Sequence, residues 1–112
     1  LEPTKKRCDF LNKIIEELSL QKIEVVNKRA EEYILDKRES YDFVAARAVA
    51  NMNILSELTI PFAKIGGKIT KIHQYELPEN AGKRVVIEIE KAEKTPIIYP
   101  RSYAKIKKRP LK

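Results

Sequence analysis

A permanent cation stands at the end of an apolar run in this sequence. The run "YDFVAAR", residues 41–47, is typical of a strand that is buried on both faces, and it stops on Arg47. The guanidinium of an arginine stays charged at any working pH. We therefore expect the strand either to deliver Arg47 to a place where chemistry is done, or to end where Arg47 pairs with a nearby acid such as Glu31.

Two other polar stretches follow predicted strands. Glu2 comes directly after Leu1, and its two carboxylate oxygens match the spacing of two ribose hydroxyls. In the stretch "NKRAEE", backbone groups of Ala30 and Glu31 are able to read the edge of an adenine while Arg29 faces the cleft. Each stretch also has an ordinary interpretation, a surface acid before a helix in the first case and a solvated turn in the second.

Hydrolytic and metal chemistry is not indicated by the residue types. His73, the single histidine, lies in an alternating strand pattern, and we find no grouping of Ser, His and Asp or of metal ligands. Cys8 is the single cysteine, so it cannot form an internal disulfide, and a cytoplasmic location is expected. We predict no metal site.

The elements that would position these residues follow from hydrophobic spacing. Apolar residues at helical spacing predict helices at 5–18 and 51–65, the second closed by Gly66-Gly67. Alternating or β-branched runs predict strands at 22–27, 41–47, 68–77 and 84–91. We expect at most a helical turn over 29–35, a turn over 78–82 and an extended segment after Thr95.

This order of elements predicts an α/β fold. Strands that alternate with helices favour a mainly parallel sheet covered on both faces, and the last two strands would add an antiparallel hairpin. In such sheets ligands bind beyond the carboxyl ends of the strands. Glu2, Asn27–Arg29 and Arg47 stand at such ends, so we expect them to converge on one rim of a common sheet.

Length and composition limit the class of protein. With 112 residues, 43% of them hydrophobic and 35% charged, the chain holds one domain at most and has an ordinary globular composition. No apolar run approaches the ~20 residues that span a bilayer, and no secretory leader is visible, so no membrane partner is expected. The chain begins at Leu1 without an initiator methionine, which suggests a fragment.

The excess of positive charge lies in one segment. Residues 1–93 carry 16 Lys and Arg against 16 Asp and Glu, whereas residues 94–112 carry the remaining seven cations and no acid. A block of one sign is typical of a solvated tail that meets a polyanion. We divide the chain accordingly into a domain over 1–94 and a basic, proline-containing C-terminal tail over 95–112.

The tail holds candidate contacts to RNA. Its cations are able to neutralise phosphates, and its tyrosines, Tyr99 and Tyr103, are able to stack on bases. The cations assigned to RNA are Arg101, Lys105, Lys107, Lys108 and Arg109. The alternative is a disordered end that serves solubility.

Four stretches, taken in order and spacing, resemble one protein family. They are "LEPTKKRCDFL" (1–11), "NKRAEEY" (27–33), "ESYDFVAARAVANMNILSEL" (39–58) and "TPIIYPRSYAKIKKRPL" (95–111). The resemblance is to the bacterial RsmG family, also called GidB, and it covers most of the chain. It implies a Rossmann-like class I methyltransferase sheet in an S-adenosylmethionine-dependent enzyme. Such an enzyme would methylate N7 of a guanine in small-subunit (16S) ribosomal RNA.

The resemblance also implies roles for individual residues. The residues implied to hold the cofactor are Glu2, Pro3, Thr4, Ala30, Glu31 and Arg47. The loop at Glu2 corresponds to the one that holds the ribose, and Ala30 and Glu31 to the pair that borders the adenine. Arg47 corresponds to an arginine beside the cofactor and the incoming RNA, with a catalytic role in positioning them. Arg29 corresponds to a second arginine that faces the same cleft, and it is assigned to RNA binding. Guanine N7 carries no proton, so alignment with the sulfonium methyl is the main requirement.

The chain departs from the family pattern in two places. The glycine-rich loop that receives the methionine part of the cofactor would lie before Leu1 and is absent. A strand, a Lys-Gly loop and a helix usually follow the region 51–68, whereas here Gly67 runs directly into "KITKIHQYEL". Either the protein lacks this segment, or the segment is missing from the sequence because the residues on its two sides have been joined. We favour the second. We therefore expect half of a cofactor site and no methyl transfer by these 112 residues alone.

The expected partner is small-subunit ribosomal RNA or the 30S particle, bound by a monomer. Two other classes stay open beside the enzyme. One is a non-catalytic α/β module that holds RNA with its basic tail, and the other is a structural, ribosome-associated protein. Removal of Arg47 would separate an enzyme from a binding module.

Overall fold

The computed structural model describes residues 1–47, 51–77 and 82–112, with the backbone alone over 72–77 and 82–85. The elements, in chain order, are α1 (Lys5–Glu17), α2 (Ala30–Lys37), β1 (Tyr41–Arg47), α3 (Met52–Thr59), a 3₁₀ turn (Ile60–Phe62), β2 (Ala63–Leu77), β3 (Gly82–Glu90) and α4 (Tyr103–Lys108). No helix in the described ranges is long and apolar enough to cross a bilayer.

One three-stranded sheet, in the order β1-β2-β3, forms the centre of the fold. β1 runs parallel to β2, with Val44 opposite Ile69, and β2 runs antiparallel to β3, with Ile69 opposite Ile89. The predicted α/β class and the predicted C-terminal hairpin are confirmed. The turn predicted at Pro78–Gly82 lies outside the described residues apart from Gly82.

β1 is an edge strand with exposed apolar side chains. Phe43 is 55% exposed and Tyr41 is 37% exposed. The prediction that this strand is buried on both faces is wrong, because every residue of β1 is exposed or only half-buried, on both alternating faces. The apolar side chains of β1 are therefore partly accessible to solvent.

The stretch 22–27, predicted as a strand, is not a strand in the structure. It is joined to the start of the chain by a hydrogen bond from the Glu2 backbone N–H to the Val26 carbonyl oxygen (3.0 Å). A strand needs a ladder of such bonds with a neighbour. Lys22 also has a left-handed backbone, with φ of 58°, so the stretch begins in a bend.

The helix predicted over 51–65 ends at Thr59, and Gly66-Gly67 lie within β2 rather than at a helix end. Gly67 sits where the register between β1 and β2 shifts. A Cβ atom on Gly67 would come within 3.1 Å of the Asp42 carbonyl oxygen of β1. The glycine therefore permits the close approach of two backbones at this irregularity.

Two segments contain more helix than the sequence predicts. The sequence predicts at most one helical turn near residue 30, whereas α2 has eight residues. The first turn of α2 is supported by Glu32, whose carboxylate accepts a hydrogen bond from the Arg29 N–H (3.4 Å). The sequence also predicts an extended segment after Thr95, where the structure contains α4. Each helix buries one isoleucine, Ile34 in α2 and Ile106 in α4, so tertiary packing decides both.

The core is small and contains a lysine. Its buried apolar residues are Cys8, Ile34, Leu55, Phe62, Ala63, Ile69 and Ile106. Lys71 of β2 is as completely buried as Ile69, and its Nζ donates a hydrogen bond to the Ser56 hydroxyl of α3. Burial disfavours the charged ammonium and lowers the pKa of Lys71 to about 8.

Replacing Lys71 by Met should stabilise the fold at neutral pH. The pKa of Lys71 is about 8 in the folded chain against an ordinary value of 10.5, so the unfolded chain binds the proton more tightly. The stability of the wild type should therefore rise as the pH rises from 8 to 10.5. Urea unfolding at pH 7 should show a gain of about 1–2 kcal/mol for Lys71→Met, and a flatter pH profile above pH 8.

The matched control is Lys68→Met, at an exposed position of the same strand where the lysine pairs with Glu88 (3.2 Å). This substitution removes a lysine that already lies in solvent, so it should give no comparable gain in stability. Equal gains from the two variants would contradict the argument from burial.

Candidate functional site

The loop at residues 2–4 is fastened to the chain around Asn27. The Asn27 side-chain amide donates hydrogen bonds to the carbonyl oxygens of Glu2 (3.1 Å) and Pro3 (2.9 Å). The buried Cys8 thiol donates to the same Glu2 oxygen (3.1 Å). These bonds hold the loop predicted to bind a ribose beside the loop predicted to border an adenine.

The Glu2 carboxylate compensates charge at the start of α1. Its Oε1 accepts a hydrogen bond from the Thr4 N–H (3.0 Å) and lies 3.8 Å from Arg7 Nη1. The bond from Thr4 lowers the pKa of Glu2, so the carboxylate is ionised at neutral pH. Thr4 is the N-cap of α1, and the first turn carries no acid of its own. Glu2 supplies the negative charge that a helix N-terminus favours.

Arg29 and Glu31 form an ion pair at the start of α2. The Arg29 Nε donates to Glu31 Oε1 at 2.9 Å. The alternative in which Glu31 neutralises Arg47 is therefore not found. Arg47 is exposed, and among the described residues no carboxylate lies within 4.0 Å of its guanidinium. Its charge is left for solvent or a ligand to balance.

A cavity of about 770 Å³ lies along β1. Four residues from the three predicted loops line it: Pro3, Arg29, Ala30 and Arg47. Three further residues predicted to hold the cofactor lie outside the lining: Glu2, Thr4 and Glu31. Within the described part of the chain, no group of three or more His, Cys, Asp or Glu residues is placed to hold a metal ion.

The wall of the cavity includes an aromatic cluster. The ring centroid of Phe62 lies 6.1 Å from that of Tyr33 and 6.2 Å from that of Tyr41. The two tyrosine hydroxyls are 3.2 Å apart, and this hydrogen bond raises the pKa of Tyr33 to about 12. Sequence reasoning missed these residues, because they belong to separate elements and only the folded chain brings them together.

The residues after β3 form a C-terminal strap, defined as residues 91–111. At its start, the Lys91 Nζ donates to Glu39 Oε1 (3.0 Å) and the Thr95 N–H donates to the same oxygen (3.1 Å). The hydrogen bond from Lys91 lowers the pKa of Glu39, so this carboxylate is ionised at neutral pH. The strap is thereby fixed to the connection between α2 and β1.

Farther along the strap, Arg101 binds a buried carboxylate. Glu57 of α3, whose side chain has no exposed surface, accepts hydrogen bonds from Arg101 N (2.9 Å), Nε (2.8 Å) and Nη2 (2.7 Å). The Arg101 guanidinium holds the pKa of Glu57 below its usual value. Ile106, five residues later, is fully buried. The strap is therefore packed into the fold on both sides of residue 103.

The residues of the strap that were predicted to bind RNA fall into three groups. Arg101 is engaged by the buried carboxylate, with its side chain 24% exposed, and Tyr99 is half-buried and accepts a hydrogen bond from Arg38 through its carbonyl. The exposed cations are Lys105, Lys107, Lys108 and Arg109. Tyr103 is half-buried and lines the cavity together with Arg29.

Comparison with known proteins identifies one family. Residues 1–105 match the family model described as GidB, rRNA small subunit methyltransferase G. The chain is 38% identical over 133 residues to the ribosomal RNA small subunit methyltransferase G of Staphylococcus aureus (strain bovine RF122 / ET3-1), a match that covers 95% of this chain and 56% of that protein. It is 36% identical over 136 residues to the protein of the same name from Fusobacterium nucleatum subsp. nucleatum, with 99% and 59% covered.

The chain thus spans little more than half the length of these curated relatives, 56% and 59%. Each aligned stretch, at 133 and 136 residues, is longer than the 112 residues of this chain. The relatives therefore have residues within the aligned stretch that this chain lacks.

Replacing Glu57 by Gln should loosen the C-terminal strap. The change removes the charge that pairs with Arg101 in a buried position, and we expect a loss of about 3 kcal/mol in the free energy of unfolding, measured in urea at pH 7. Trypsin should then cleave the strap faster than in the wild type. Because the pKa of Glu57 is lowered in the fold, the wild type should lose this advantage as the pH falls below the ordinary glutamate value.

Glu88→Gln is the matched control for this experiment. Glu88 is 58% exposed in its pair with Lys68, so its replacement should change stability by less than about 0.5 kcal/mol. A Glu57→Gln variant that unfolds and is cleaved like the Glu88→Gln variant would show that the strap does not depend on the buried pair.

Proposed function

We propose a function on the premise that this chain belongs to the GidB family (rRNA small subunit methyltransferase G). The complete protein, in this proposal, uses S-adenosylmethionine to methylate N7 of a guanine in small-subunit (16S) ribosomal RNA. The observation that carries the proposal is the meeting of three loops, through Pro3, Arg29–Ala30 and Arg47, at one cavity. The sheet beside them would belong to a Rossmann-like class I methyltransferase fold. Since the chain spans 56% of its relative, the activity is proposed for the complete protein.

The residues around the cavity fit an adenosyl group. The rings of Tyr33, Tyr41 and Phe62 and the small side chain of Ala30 offer an apolar wall to a flat base. The ionised Glu2 carboxylate, in the adjoining loop, is suited to accept hydrogen bonds from ribose hydroxyls. When bound, S-adenosylmethionine supplies an activated methyl group on a positively charged sulfur. The residues proposed to hold it are Glu2, Pro3, Thr4, Ala30, Glu31 and Arg47.

The reaction requires the protein to align guanine N7 with the methyl group, and it does not require acid–base catalysis. Guanine N7 has a lone pair and carries no proton, so no general base is needed to free it for attack. Arg47 would hold a phosphate or stack against the base, as arginines commonly do with RNA. Its exposure beside the cavity, without a carboxylate neighbour among the described residues, supports this positioning role.

The proposed partner is small-subunit ribosomal RNA or the 30S particle, bound by a cytoplasmic monomer. The exposed cations of α4 and the residue after it would neutralise phosphates, because residues 94–112 contain no acid to compete for them. Arg101 and Tyr99 would contribute by holding the strap in place, since both are engaged within the fold.

Arg47→Ala, introduced into the full-length protein, should reduce methyl transfer far more than it weakens RNA binding. We expect kcat/KM to fall about 100-fold, because alignment is lost, and RNA affinity to fall no more than about threefold. Transfer of a radiolabelled methyl group to small-subunit ribosomal RNA and filter binding of the same RNA measure the two effects.

The control for Arg47 is Lys13→Ala, which removes an exposed cation from α1 and should leave both measurements unchanged. Equal and modest effects of Arg47→Ala on transfer and binding would contradict a positioning role. Absence of any methyl transfer by the wild type would favour the non-catalytic RNA-binding module.

Replacing Lys107 and Lys108 by Gln should weaken RNA binding and reduce its dependence on salt. Each phosphate contact removed should lower the slope of log affinity against log salt by about 0.7–0.9. Filter binding between low and moderate salt measures the slope. Substitution is preferable to deletion of the strap, because Arg101 and Ile106 are packed into the fold.

Lys13 and Lys22, two exposed cations outside the strap, give the matched double Gln variant. The slope should be that of the wild type in this control. If the slope is also unchanged in the strap variant, the basic end serves solubility and not RNA binding.

A further inference from the structure

Arg29 and Tyr103 come together although they are far apart in the sequence. The Arg29 Cζ lies 4.9 Å from the centroid of the Tyr103 ring, which is the geometry of a cation–π contact. Both side chains line the cavity along β1, the same cavity that Arg47 reaches. We call the stacked guanidinium and ring the Arg29–Tyr103 platform.

The platform is held from both directions. On the side of Arg29, the Nε donates to Glu31 Oε1 at 2.9 Å, which orients the guanidinium plane. On the side of Tyr103, the strap is anchored two residues earlier by Arg101 and three residues later by the fully buried Ile106. Since Tyr103 is the first residue of α4, these anchors fix the position of its backbone beside the cavity.

We infer that the Arg29–Tyr103 platform receives an unstacked nucleobase of the RNA substrate at the edge of the cavity. Planar arginine and aromatic groups are the surfaces on which proteins stack single-stranded bases, and they accept any base because every base has a π-face. The platform is half-exposed, with the Arg29 side chain 49% accessible, so a base is able to reach it. The inference rests on the proposed function, because it takes the ligand to be RNA.

A stacked base and a bound phosphate respond differently to salt, and this difference separates the platform from the lysines of α4. Loss of a phosphate contact lowers the slope of affinity against salt concentration, whereas loss of a stacking contact weakens binding at every salt concentration alike. A purely structural role for Tyr103 would instead appear as lowered stability with unchanged RNA affinity of the folded protein.

The test uses the protein with Tyr103→Leu and Tyr103→Phe. Leucine keeps the apolar packing and removes the π-face, whereas phenylalanine keeps both. The probe is a single-stranded RNA of about 10 nucleotides with 2-aminopurine in place of one base, whose fluorescence falls when that base stacks on an aromatic ring. Thermal unfolding of each variant gives the fraction that is folded.

Tyr103→Leu should bind the probe about tenfold more weakly than the wild type, with the same salt slope and with the fluorescence quench lost. Tyr103→Phe should retain affinity and quench. If the wild type binds the probe and Tyr103→Leu binds it equally well, the platform is wrong and the proposed function stands. A loss in Tyr103→Phe as large as in Tyr103→Leu would also overturn the inference, since the hydroxyl would then be the contact. A wild type that binds no RNA would overturn both proposals together.

Discussion

The buried carboxylate of Glu57 is the constraint on which the arrangement of the site depends. A carboxylate without exposed surface must be paired with a cation or lose its charge, and Arg101 meets it with three hydrogen bonds. One of the three comes from the backbone of Arg101, so the contact fixes the path of the chain as well as a side chain. The helix that follows therefore starts with Tyr103 at the cavity.

Cations serve two purposes in this chain, and a count of charges does not separate them. Lys91 and Arg101 pair with Glu39 and Glu57 in places where water is largely excluded, so salt screens these pairs little. The cations of α4 stand in solvent with no acid in their segment. The strap is thus held by shielded pairs and presents solvated charge, which lets one short segment be both fixed in place and attractive to a polyanion.

The sequence is sufficient for the parts of the fold that local pattern determines. The helix at 5–17, the strand at 41–47 and the final hairpin follow from periodicity, and each is present. Local pattern cannot say which neighbours an element will have. The apolar composition of β1 suits a strand covered on both faces, but that cover depends on which elements pack there, and in the structure Tyr41 and Phe43 stay exposed. In the same way α4 forms because Ile106 finds a buried position, which nothing within "YAKIKK" reveals.

The same distinction between local pattern and tertiary contact applies to the candidate site. The place of Arg47 was predictable, because it ends the predicted strand β1 and ligands bind beyond the carboxyl ends of such strands. The loops at Pro3 and Arg29–Ala30 do not follow strands in the structure, so their meeting with Arg47, like the aromatic wall, depends on contacts between separate elements. The two surfaces that result favour different chemical groups. The rings of Tyr33, Tyr41 and Phe62 suit a flat apolar group, while Arg47 and Arg29 place positive charge at the rim. The cavity therefore offers a wall suited to a flat base and, at its rim, positive charge suited to an anion such as a phosphate.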